Sequence, residues 1–182
     1  SKIDIPILRM QLIYRVFFLF TWLLAVSGYL QASVYEENQV KAAFLYNFPK
    51  FIELPGENTL TLCIVGEDSF GDAMAALNGQ VTAGKRLVVK RVNSVNEIPS
   101  CQILYLSSLE KNKLEPIMRY ARNKPILTVG DTSEYSNQGV IINFYLENNR
   151  VKIEINMDAA EQSKLKISSK LLKIARIIRN GQ

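Results

Sequence analysis

Between residues 60 and 129 the apolar positions fall into short runs, separated by segments whose apolar residues recur at helical spacing. Leu60 to Val65 (LTLCIV), Leu87 to Val92 (LVVKRV), Ile103 to Leu106 (ILYL) and Ile126 to Val129 (ILTV) predict four buried strands. Phe70, Ala73, Met74 and Leu77 lie at i, i+3, i+4 and i+7 and predict a short amphipathic helix, with Asp68 or Ser69 as its cap. Leu114, Ile117, Met118 and Ala121 carry a second helix that begins near Ser107 and that Pro116 makes irregular. Strands alternating with helices predict an α/β domain, a mostly parallel sheet flanked by helices.

The period changes after Gly139. Val140, Ile142, Phe144 and Leu146 alternate with Ile141, Asn143 and Tyr145, and Val151, Ile153 and Ile155 repeat the pattern beyond Glu147-Asn148-Asn149. Alternation on both sides of a polar turn predicts a C-terminal antiparallel β-hairpin. In the last segment, SSKLLKIARIIRN, Leu171, Ile174, Ala175 and Ile178 share one face of an expected amphipathic helix, and Lys170, Lys173, Arg176 and Arg179 the other. That basic face is either solvated or a surface for an acidic partner or anionic lipid.

At the other end, VKAAFLYNFPKFIELP places Val40, Ala43, Phe44, Asn47, Phe48, Phe51 and Ile52 on one stripe, wide enough to cover a sheet face. Pro49 removes a backbone N–H and ends or kinks this helix near Phe48. Phe44, Phe48 and Phe51 are core residues on this reading, and they are also the candidate edge of a partner or homodimer contact.

Composition adds the compartment. The chain has 182 residues, 48% hydrophobic and 21% charged, enough for one domain. Val16 to Val26 is an unbroken apolar run behind Arg9 and Arg15, with Ser27, Gly28, Ala32 and Ser33 after it. This is the pattern of a cleaved secretory signal; the rival, a membrane anchor, needs about 20 apolar residues. The expected division is therefore upstream residues and signal peptide over 1–32 and a single domain over 33–182, with no membrane insertion after cleavage. Lys2, Arg9 and Arg15 against Asp4 leave the exported part at +3 of the formal +5, too mild a charge to indicate nucleic acid. Export lets Cys63 and Cys101 persist as a disulfide, which the chain-entropy model values at about 4 kcal/mol. Two buried thiols are the alternative.

The chain contains no histidine. That removes Ser-His and Cys-His nucleophiles and the commonest zinc ligand, and the acidic residues show no calcium-loop spacing, so no metal site and no cofactor are expected. Gly66 and Gly71 have P-loop spacing but no Lys-Ser/Thr follows them. Glu67 and Asp131 could pair as acid and base at the strand ends, yet nothing specifies the desolvated pocket such work needs, and the chain is read as a non-enzyme. The same loops, Gly66 to Phe70 and Gly130 to Tyr135, with Glu67, Asp68, Asp131 and Tyr135, form a candidate small-molecule rim.

VKAAFLYNFPKFIELP, PILTVGDTSEYSNQGVIINFYLENNRVKIEIN and MDAAEQSKLKISSKLLKIA together resemble the YfiR-like family of bacterial periplasmic proteins, from about Asn38 to Ile178. The resemblance implies a periplasmic repressor that binds the sensor portion of an inner-membrane diguanylate cyclase and lowers cyclic-di-GMP output, and it matches Cys63 and Cys101 to the family's spaced cysteine pair. The chain departs from the best-known branch in having no second cysteine pair near the late hairpin, and in Pro49, Leu54 and Gln138-Gly139. A periplasmic small-molecule sensor using the strand-end loops is the alternative function.

Overall fold

A computed structural model describes residues 15, 34–66, 70–109, 111–132 and 134–179. The chain divides into two units, Ser1–Glu37 and Asn38–Gln182. In the first, Arg15 and residues 34–37 are helical. The second holds an eight-stranded sheet, and helix α1 (residues 34–47) enters it at Asn38.

Strands β1 (Thr59–Val65), β3 (Lys85–Val92), β4 (Ile103–Leu106), β5 (Leu127–Gly130) and β6 (Ile142–Glu147) are parallel. Both edges change direction. The two-residue β2 (Val81–Thr82) runs antiparallel to β3, and β7 (Arg150–Asn156) runs antiparallel to β6. The hairpin turns on Asn148 and Asn149, both at positive φ, as a tight two-residue turn between right-twisted strands requires. The sheet order is β2-β3-β1-β4-β5-β6-β7-β8.

The strand β8 (Arg176–Ile178) replaces much of the expected last helix. Only Ser169–Leu172 is helical there (α5), capped by Ser168 Oγ, which accepts from the Lys170 N–H at 3.3 Å. Arg176 to Ile178 then pair in parallel with Glu154 to Asn156. The expected basic helical face therefore does not form. Ladder bonds to β7 and the pairing of Arg176 with Glu154 outweigh a local preference that favoured helix.

Alternation along the strands gives the sheet two apolar faces. Leu62, Ile64, Tyr105, Val129, Phe144 and Ile155 face α1, the 3₁₀ turn Phe48–Lys50, α2 (Asp72–Ala75), α4 (Met157–Gln162) and α5. Cys63, Val65, Val92, Leu104 and Leu106 face the opposite way. They lie under the 3₁₀ segment Val95–Ser100, α3 (Lys111–Ala121) and Tyr135. Pro116 sits inside α3, and Pro49 ends α1 as expected by opening the 3₁₀ turn.

The stripe of α1 is turned from its expected position. Asn38, Lys41, Ala42, Leu45 and Phe48 are buried, whereas Val40 and Ala43 are exposed. Phe44 is half-buried and closes a three-ring cluster with Phe48 and Phe144, centroids 5.8 to 6.1 Å apart. A charged partner beneath the helix explains the rotation.

Candidate functional site

The carboxyl ends of the parallel strands make one rim of the sheet, where open α/β folds hold their ligands. Asp131 directly follows β5. Its Oδ2 accepts from the Tyr105 hydroxyl at 2.5 Å and from Lys41 Nζ at 3.5 Å. Tyr105 is fully buried on β4 and meets the Phe70 ring edge-on, centroids 4.8 Å apart. This contact draws Lys41 under α1. Asp131 thus anchors the helix through Lys41.

Tyr135 is also an internal brace. Its hydroxyl accepts from the Leu109 N–H at 2.8 Å and donates to the Ser107 carbonyl at 2.9 Å, tying the loop after β5 to the loop after β4. The ring needs a glycine beneath it: a Cβ on Gly130 would lie 2.5 Å from Tyr135 Cδ2. Beside it, Asn143 Nδ2 donates to the Thr132 carbonyl at 2.9 Å, while Oδ1 is buried with no partner among the described residues. The structure thus brings Asp131 and Tyr135 to the same rim but spends both on internal contacts. Glu67 and Asp68, the other members of the expected rim, lie outside the described residues, as do the signal-peptide residues apart from Arg15.

The opening lies further along the rim. A crevice of about 790 Å³ is bounded by Val65 and Gly66 at the end of β1, Val92 to Val95 at the end of β3, Ile98 beyond them, Ser108 and Leu109 after β4, and Asn112, Lys113, Pro116 and Ile117 of α3. Topology explains the gap. The chain leaves β1 towards the α1 face, where Ala73 and Met74 pack, but leaves both neighbours, β3 and β4, towards the α3 face. Diverging connections leave space between them. Gly66, at φ +93°, lets Leu109 pack against the backbone there, since a Cβ would lie 2.8 Å from Leu109 Cδ2.

Cys63 and Cys101 form the expected disulfide, Cα atoms 5.8 Å apart, and both residues are buried. The bond holds the end of the Val95–Ser100 segment against β1. That segment starts with Ser94, whose N–H and hydroxyl both donate to Glu97 Oε1, at 3.1 and 3.3 Å.

Of the expected contact residues, Lys170 and Lys173 are exposed, Phe51 is partly buried, and Phe48 is sealed in the core. The Arg176 guanidinium is directed inward at Glu154 Oε2, 2.5 Å away, and over the Tyr145 ring. Glu154 also accepts from the Ser136 hydroxyl, and Asn156 Nδ2 donates to the Ser136 carbonyl at 3.2 Å. Arg179 pairs with Asp158 at 2.6 Å and Glu161 at 3.3 Å, and these bonds, Asp158 first, raise its pKa. Ile174, Ile177 and Leu146 remain exposed on the same edge. A second, shallower cleft of about 490 Å³ lies between Pro49 to Leu54 and Lys166 to Ser168. Among the described residues no cluster of three or more His, Cys, Asp or Glu could hold a metal, and no helix is long and apolar enough to cross a membrane.

Lys41 and Tyr105, which meet at Asp131, were not among the residues that the pattern singled out. Lys41 carried a signal: it is a lone cation within an otherwise apolar helical segment. The profile of the YfiR/HmsC-like family matches residues 38–176, which span strands β1 to β7 and end on the first residue of β8. The chain belongs to the YfiR/HmsC-like family. No curated protein matches the chain significantly in sequence. Among solved structures it is similar to an ABC domain in complex with L-Trp from Streptococcus pneumonia, at 12% identity and a TM-score of 0.49, covering 78% of this chain and 60% of that one. It is also similar to a conserved domain protein from Vibrio cholerae O1 biovar eltor, at 11% identity and a TM-score of 0.46, covering 77% and 59%. The chain thus spans about 60% of the length of each of these structures.

Proposed function

We propose that this protein binds the periplasmic sensor portion of an inner-membrane diguanylate cyclase and represses it, lowering cyclic-di-GMP output. Family membership over residues 38–176 is the observation that carries this reading. Repression requires a difference in affinity: the protein binds the inactive arrangement of the sensor more tightly than the active one and shifts the population towards it. The surface best suited to such binding is the C-terminal edge. There Ile174 and Ile177 are exposed beside Lys170 and Lys173, so apolar area and positive charge are offered together.

Deletion of the gene is expected to raise cellular cyclic-di-GMP. Complementation with Ile174→Asp should leave the melting temperature unchanged and fail to restore the low level, because residue 174 is 62% exposed and its burial waits for the partner. Unchanged cyclic-di-GMP in a clean deletion would overturn the repressor reading. Full complementation by Ile174→Asp would move the contact away from this edge.

A further inference from the structure

The C-terminal segment carries the pattern of one structure and adopts another. Leu171, Ile174, Ala175 and Ile178 recur at helical spacing behind the cap Ser168, yet the helix stops at Leu172 and Arg176–Ile178 form β8. Burial does little to enforce the strand. Ile174 is 62% and Ile177 43% exposed, and Ile178 is only partly covered.

What holds β8 is polar and lies at the surface. Its ladder covers three of the seven residues of β7. Arg176 reaches Glu154 Oε2 at 2.5 Å with half of its side chain in solvent, and Arg179, equally exposed, reaches Asp158 and Glu161 of α4 at 2.6 and 3.3 Å. Pairs this exposed are weak and are screened by salt. The opposing preference does not depend on them. A helix continued through Arg179 carries Arg176 and Arg179 in its last turn, where cations are favoured without a partner.

The sheet can also release β8 intact. β7 stays paired with β6 along six residue pairs, and Asn156 caps α4 by accepting from the Ala159 N–H at 3.0 Å, independently of β8. Glu154, buried beneath Arg176, returns to water at the opened edge and keeps its bond from the Ser136 hydroxyl. A charge on an edge strand also guards that edge against stray pairing.

We propose that residues 173–179 are a two-state element, either clipped to β7 as β8 or continuing α5 as one helix with the edge of β7 open, and that the ion pairs of Arg176 and Arg179 set the balance. Two packings of one sequence separated by a few weak contacts are what such a switch requires. The exchange belongs to this chain alone and does not rest on the cyclase reading. The purified protein tests it, and cellular cyclic-di-GMP tests the other.

The test is nuclear magnetic resonance of the purified protein, read through the Cα shifts of residues 173–179 and through amide exchange. Raising the salt from about 0.1 M to about 1 M, which shortens the screening length from about 10 Å to about 3 Å, is expected to move the shifts of 174–178 from strand towards helix while those of β6 stay fixed. Amides bonded between β7 and β8 should exchange at least about tenfold faster than those bonded between β6 and β7. Glu154→Gln, which removes the charge that holds Arg176, should raise the helix-to-strand ratio about tenfold. Ala175→Gly, outside β8, should lower it about fivefold. Strand shifts at both salt concentrations in the wild type and in Glu154→Gln, with exchange as slow beside β8 as beside β6, would overturn the proposal. So would a segment that leaves β7 without acquiring helical shifts, or a ratio that Ala175→Gly leaves unchanged.

Discussion

The two faces of the sheet are closed by different means. The α1 face is covered by elements from both ends of the chain and sealed by contact among large side chains: the rings of Phe44, Phe48 and Phe144, Tyr105 against Phe70, and the Lys41–Asp131 pair beneath α1. The α3 face is covered by elements close in sequence to the strands they protect, and one of them is bonded to β1 through Cys63 and Cys101. The first face has only the shallower cleft of about 490 Å³ between Pro49 to Leu54 and Lys166 to Ser168 among the clefts described above. The second contains the crevice. A face that contains a cavity forfeits the contacts that would have filled it, and here a covalent bond holds the cavity's wall. Burial secures the first face, and a cross-link secures the second.

This contrast can be broken from either side. Phe144→Ala removes the ring that both Phe44 and Phe48 lean on and is expected to lower stability by about 3–5 kcal/mol in denaturant unfolding, with the Cys63–Cys101 bond intact. A loss below 1 kcal/mol would mean that the ring cluster does not seal that face. The Cys63→Ser, Cys101→Ser double variant comes next, at about 2–4 kcal/mol. Hydrogen exchange should locate its effect: protection should fall first in Val95 to Cys101, while α1 keeps its protection up to global unfolding. An equal loss in α1 would show that the bond supports the whole domain and not one face. Asp131→Asn is the smallest of the three, about 1–2 kcal/mol, because the amide still accepts from Tyr105 but no longer compensates the charge of Lys41. Lys41→Met should cancel most of that loss, and a double-mutant cycle measures the coupling.

Much of this architecture was legible in the chain. Strand runs such as ILYL at Ile103 to Leu106 announce themselves, because a strand buried on both faces needs unbroken apolar residues. The disulfide was legible only as one of two outcomes, and the pairing of β1 with β4, which brings Cys63 and Cys101 together, decides between them. The C-terminal strand was hidden. Arg176-Ile177-Ile178 continues a helical period, and only the waiting edge of β7, with Glu154 in register opposite Arg176, makes it a strand. The buried face of α1 was hidden for a similar reason. The partner of Lys41 lies 90 positions away in sequence, and no local pattern foretells it. The crevice is harder still to read, since its walls come from the ends of three strands and from one helix, each unremarkable by itself.

The α1 face also has an order of assembly. Ile52 forms an antiparallel bridge with Ile167, the Glu53 N–H donates to the Lys166 carbonyl at 3.1 Å, and the Ser168 N–H donates to the Phe51 carbonyl at 2.8 Å. The segment that leaves α1 is thus pinned by residues from the far end of the sequence. A chain delivered N-terminus first, from a ribosome or through a membrane pore, holds α1 early but cannot fasten it until residue 168 has arrived. Contacts of such long sequence separation slow folding. In any chain threaded through a narrow channel such a delay is useful: the clasp cannot shut while part of the chain is still on the other side, and the molecule locks only when delivery is complete.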